Sequence, residues 1–250
     1  MTSTTEKTVE ARGRVRVEPG AKRIRAYLAG ELVADTRHPL PVWEHSRYPT
    51  YYFPAADVRF ELLRPEAESS HSPSRGDAAI FTVEAGGSMR FGAAQHYEES
   101  PFETLRDTVR IEWDSMDAWF EEDEQVFVHA RSPYTRVDIL ASSRHVRVEV
   151  DGATIAESVK PTLLFETGLP VRYYLPKTDV RMDLLTFSDS TSRCPYKGEA
   201  EYWSLEHDDR RVDIAWSYRT PLLESQKIAG LVCFYPEKVD VYVDGALIES

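Results

Sequence analysis

Apolar and charged positions alternate along Val146-Arg147-Val148-Glu149-Val150, the period of a strand with one face buried. Asp151-Gly152 follows, then Ala153-Thr154-Ile155-Ala156. A strand, an Asp-Gly pair and a second strand predict a hairpin, because Asp-Gly accepts the positive φ values of a type I′ turn. Val241-Tyr242-Val243-Asp244-Gly245 repeats the signal. Residues 173–175, 181–185, 202–205 and 212–216 are short runs rich in aromatic or branched side chains, and each is expected to be a strand. Turn residues separate them at the spacing of an all-β domain. Helical signals are fewer. Asp57 and Asp179 stand where they would cap turns after Pro54 and Pro176, and residues 222–226 predict a short helix behind Pro221.

The pattern occurs twice. At an offset of 122 residues Gly30 matches Gly152, Glu44 matches Glu166, and Tyr51-Tyr52 matches Tyr173-Tyr174. Pro54, Asp57-Val58-Arg59 and Leu62-Leu63 keep the same register, as do Pro73, Gly76 and Ala78 with Pro195, Gly198 and Ala200. An ungapped match of this length means two duplicated domains rather than a solenoid. Further on, residues 94–97 lie on 215–218 with a one-residue slip, which puts Gln95 opposite Trp216 and Trp113 opposite Phe234. The expected division is a first, diverged domain at 14–120, a connecting segment at 121–143 and a second domain at 144–250. The fold class is mainly β: two tandem copies, each of two packed antiparallel sheets, with few short helices.

With 42% hydrophobic and 29% charged residues the composition is that of an ordinary globular protein. A net charge of −12 argues against nucleic acid as a partner, since a phosphate-backbone binder needs a basic surface. A local basic pocket for one small anion stays open. No run of 18 apolar residues predicts a membrane span, and the opening MTSTTEKTVE has no apolar stretch of a signal peptide. Two cysteines, with no Cys-x-x-Cys, give neither a disulfide framework nor a zinc site, so a reduced, cytoplasmic protein is expected. No P-loop, Gly-x-Gly-x-x-Gly or Gly-x-Ser-x-Gly is present, and neither cofactor nor metal is implied.

The second copy carries ETGLPVRYYLPKTDV (166–180), CPYKG (194–198), AWSYRTPL (215–222) and VDVYVDG (239–245). These stretches resemble the bacterial and fungal domain-of-unknown-function family 427, sometimes labelled nucleotidyltransferase-like. The resemblance covers nearly the whole second half, and the first half looks like a diverged copy. It implies a small β-tent domain, two antiparallel sheets pinned along one edge, and it implies no activity.

Within those motifs Cys194, Lys197 and Glu166 are the candidate catalytic residues. A lysine in a tight turn beside a cysteine favours the thiolate, and a carboxylate at the end of a buried strand suits acid–base work. The structural alternatives are a thiol packed at a turn and an ion pair from Glu166 to Arg172 or Lys197. His207 is the histidine nearest to Cys194 in sequence. Arg172, Tyr173, Tyr174, Tyr196, Trp216 and Tyr218 are the candidate ligand-binding residues, with a small anion preferred because of the two cations. The alternative for the aromatic residues is core packing, and for the whole chain a non-catalytic scaffold. The first copy has Ser72, Ser74 and Arg75 where the second has Cys194, Tyr196 and Lys197. His129, Arg131, Arg136 and Asp138 read as charges of a connecting segment paired with the acidic run 121–124.

Overall fold

A computed structural model describes residues 15–206, 208 and 211–248. The amino-terminal stretch and His207 lie outside the described residues. The chain divides between Ser132 and Pro133 into two compact units. Among the described residues the strands form four antiparallel sheets, two in each unit, with only short 3-10 turns as helix.

In the first unit the larger sheet runs in the order Arg16–Val17, Leu40–Trp43, Thr50–Pro54, Thr108–Ile111, Ser88–Tyr97, Gly76–Ala85, Leu63–Ser72. The smaller sheet is Glu124–Val126, Ala118–Glu121, Ile24–Leu28, Glu31–Thr36. The second unit repeats the larger order with Val137–Ala141, Thr162–Glu166, Arg172–Leu175, Val232–Phe234, Ala215–Ser217, Gly198–Leu205, Leu185–Cys194. Its smaller sheet is Ala246–Leu247, Asp240–Val243, Val146–Val150, Ala153–Ser158. The segment 121–143, expected to connect the copies, therefore contributes the edge strand Glu124–Val126 to one unit and Val137–Ala141 to the other. Glu121 is buried in the first unit, where it takes the Tyr51 hydroxyl at 2.9 Å and the Lys22 ammonium at 2.5 Å.

The hairpin turns fold as the Asp-Gly signal requires. Asp151 and Gly152 sit at φ 50° and 79°, and the matching Ala29 and Gly30 at 49° and 77°. The left-handed region is strained for alanine, so the second turn is the better-matched sequence. Both hairpins bulge at the same aligned place, after Ala26 and after Val148. The bridges Ala34–Val58 and Ala156–Val180 pin the smaller sheet to the turn that leaves the larger one.

Three local expectations change. Asp57 and Asp179 do not cap their turns; each is the turn's last residue. Their carboxylates accept from Thr36 and Ser158 at 2.6 and 2.7 Å, tying the turn to the adjacent hairpin. Residues 181–185 are not all strand: Met182–Leu184 is a 3-10 turn, because the Arg181 N–H is taken by Ile155 and Leu184 N–H closes onto Arg181. The strand expected at 212–216 begins only at Ala215, since Asp213 takes φ 52°. The helix behind Pro221 forms as the 3-10 segment Leu223–Ile228.

Each larger sheet has two buried faces. One packs on the smaller sheet, with Val146, Val148, Leu175, Trp203 and Phe234 in the second unit and Ile24, Phe53, Val109 and Trp119 in the first. The opposite, outer face carries a second cluster: Leu164, Tyr174, Trp216, Tyr218, Ile228 and Cys233, against Val42, Tyr52, Ala78, Tyr97 and Leu105. Among the described residues no helix is long and apolar enough to cross a membrane.

Candidate functional site

Strand register fixes what meets on the outer face. In the second unit Tyr174 pairs with Cys233, Cys233 with Trp216, and Trp216 with Tyr202. One row of the sheet thus presents all four side chains to the same side. Period two adds Arg172 beside Tyr174 and Tyr218 beside Trp216. The corresponding row in the first unit is Tyr52, Arg110, Gln95. Gln95 is therefore the structural counterpart of Trp216, as the one-residue slip gave. Trp113 is not the counterpart of Phe234. Phe234 pairs with Ala215 as Ile111 pairs with Ala94, and Trp113 lies beyond the strand in a 3-10 turn.

In the second unit the Lys197 ammonium closes directly onto the Glu166 carboxylate. Their side chains are only 12% and 8% exposed, so the pair neutralises itself inside the protein. The charge that the sequence places beside Cys194 is thereby directed at Glu166. Cys194 is half-buried and pairs across its hairpin with Gly198, which holds φ 99°. Burial, followed by the nearby Cys194, pushes the Tyr218 phenol well above its ordinary range. Burial does the same to Tyr174, whose oxygen accepts from the Trp216 indole N–H at 3.2 Å. Both phenols therefore stay protonated at neutral pH. Tyr196 is buried, and its carbonyl accepts from the Ser225 hydroxyl at 3.1 Å, which fastens the CPYKG turn under Leu223–Ile228. Arg172 lies over the rings of Trp216 and Tyr235 at 5.5 and 5.8 Å. Tyr173 does not join this group: it points to the other face and packs against the cluster that contains Leu175 and Val241.

In the first unit the same place is a hydrogen-bonded charge network. Glu44 accepts from the Tyr52 hydroxyl at 2.9 Å and from Arg110 Nε at 2.8 Å, and pairs with Arg75 at 2.9 Å. Arg75 also donates to Tyr52 at 2.8 Å, and Arg110 reaches on to Glu112. Burial pushes the Glu44 carboxyl up, but the Arg110 hydrogen bond and the two guanidinium charges outweigh it and hold the group below its ordinary 4.5.

Two stretches, residues 16–122 and 138–245, each match the family described as Domain of unknown function (DUF427). The chain is a tandem member of the DUF427 family. A comparison with curated proteins returns no match. Across the two DUF427 copies the carboxylate–cation pair keeps its place, as Glu44–Arg75 and Glu166–Lys197. Sequence reasoning missed Arg110, Tyr202 and Tyr235, which reach the site through strand pairing at long range. The residues 129–138 separate into local groups: His129 stacks on Tyr48 at 3.7 Å, Arg131 pairs with Glu124 at 3.2 Å, and Arg136 pairs with Asp138 at 3.2 Å. Among the described residues no three His, Cys, Asp or Glu side chains gather as a metal site would need.

Proposed function

We propose that the second unit of this DUF427 chain binds a small anionic molecule on the outer face of its larger sheet, with Arg172 as the receiving charge. The observation that carries it is Arg172 itself. The guanidinium is held over Trp216 and Tyr235, is still 23% exposed, and meets Glu237 only at 3.5 Å. That contact is long for a charge-assisted bond, so an incoming carboxylate or phosphate can displace Glu237. The aromatic rings give an apolar wall and fix the fork of donors. Lys197 and Glu166 hold the adjacent CPYKG turn, and no covalent step is part of this reading. Cytoplasmic placement and the tent-like arrangement of the two sheets belong to the same reading.

The second reading, a non-catalytic scaffold, is favoured by the closed Lys197–Glu166 pair and by the burial of Trp216 and Tyr218. Calorimetric titration of the full chain with inorganic phosphate, a nucleoside monophosphate and benzoate separates the two. Binding of one of them, lost in Arg172→Ala and kept in Arg75→Ala, is the expected result. Heats indistinguishable between the wild type and Arg172→Ala for all three would leave the scaffold reading.

A further inference from the structure

The larger sheets end on the ten-residue strands Leu63–Ser72 and Leu185–Cys194, and among the described residues each is paired along one edge only. An open edge presents unpaired N–H and C=O groups to any other strand. The two strands align at the offset of 122 residues, and both carry a bulge, ending at the matched positions Ser69 and Thr191. Their defences differ. The first has Pro65, which lacks an N–H, and the exposed Glu68. Its Glu66 folds back to accept from Thr82 and Gly92 at 2.7 and 2.8 Å. At these positions the second has Phe187, Ser190 and Ser188, and Phe187 is 57% exposed.

The second edge also has self-complementary charge. Asp189 and Arg193 stand two residues either side of Thr191, and both are exposed. When two such strands pair antiparallel about a two-fold axis at Thr191, Asp189 of each copy, on the bulge, is carried toward Arg193 of the other. Asp189 lies in the bulge, outside the ladder to Gly198–Leu205, so no inner-strand partner fixes its position. Arg193 is held at the edge by Glu199 at 2.9 Å. The first edge has Ala67 where the second has Asp189, and so lacks the carboxylate for the same pairing. We propose that two copies of this chain associate through Leu185–Cys194, antiparallel and centred on Thr191.

Sedimentation velocity of the full chain over a concentration series tests this, with circular dichroism to confirm folding of each variant. A reversible dimer is expected for the wild type. Asp189→Arg brings like charges toward each other twice and should weaken it about tenfold or more. Asp189→Arg combined with Arg193→Asp should bring the affinity back toward the wild type. Thr191→Pro should abolish the dimer, and Ser70→Pro on the first edge should leave it intact. A wild type that stays monomeric to its solubility limit overturns the proposal. So does a dimer indifferent to Asp189→Arg, whatever Thr191→Pro does, because the register would then be wrong.

Discussion

The outer faces of the two larger sheets share a backbone and a tyrosine, and differ in what the tyrosine hydroxyl meets. In the first unit Tyr52 donates to Glu44 and accepts from Arg75, and Arg110 completes the set. In the second, Tyr174 accepts from Trp216, Cys233 occupies the place of Arg110, and Lys197 reaches Glu166. The exchanges are coupled. An arginine has donors enough for both a carboxylate and a phenol, whereas a lysine is a compact charge suited to one close partner. Once the second arginine is gone, the phenol needs a new donor and the vacated volume a new side chain, and one indole supplies both. A buried polar network and an aromatic core are thus alternative fillings of one site, provided every polar atom stays partnered.

The largest effect should come from forcing one filling into the other. Trp216→Gln places the first unit's residue in the second unit without Arg110 to accompany it. Loss of a side chain only 6% exposed, with its ring tilted against Tyr235 at a centroid distance of 4.2 Å, should cost the second unit about 3–5 kcal/mol. Urea unfolding of the full chain, followed by probes in each unit because two units need not unfold together, measures it. A loss below about 1 kcal/mol would mean that this face is not a core of the second unit.

A smaller effect separates the units by pH. Glu44 is held below its ordinary 4.5 when folded and returns to it on unfolding. Its folded pKa is the lower one, so its contribution is fully present above that ordinary value and is lost as pH falls through the depressed folded value. Unfolding midpoints of the first unit should therefore drop as the pH falls from its ordinary value through the depressed folded one. Glu44→Gln should flatten that slope, at some loss of stability at neutral pH. An unchanged slope would show that the arginines do not hold this carboxylate charged.

Much of this arrangement was legible in the sequence, for local reasons. The duplication survived because its markers are turn glycines, prolines and short strand patterns, all of which act within a few residues. An ion pair from Glu166 to Arg172 or Lys197 was legible because both cations stand in the same motifs; the partner in the structure is Lys197. Arg110 and Tyr235 were not, because they arrive by pairing between strands far apart in the chain, and loop length decides that register. The offset changes from 122 at Tyr52 to 121 at Gln95 and 123 at Arg110, so the slip carried forward from Gln95 misplaced Trp113. Capping preferences misled at Asp57 and Asp179 because a hydroxyl on a neighbouring hairpin was the nearer partner.

The smallest effect concerns the thiols, which belong to the second unit only. Cys233 is 1% exposed, and burial pushes its thiol up to about 12, so it is protonated and shielded at neutral pH. Cys194 is half-buried at the end of an edge strand, within reach of a small reagent. Iodoacetamide in the native state should therefore label Cys194 well before Cys233, as peptide mass mapping would show. Lys197 decides what that means. A lysine activating the thiolate would make Lys197→Met slow the labelling strongly. With the ammonium closed onto Glu166, removing it should change the Cys194 rate by no more than about twofold, because the cation is already neutralised by its nearer partner. A drop of tenfold or more in Lys197→Met, with the fold intact, would return Cys194 to the role of an activated nucleophile and make the CPYKG turn a reactive site rather than a structural one.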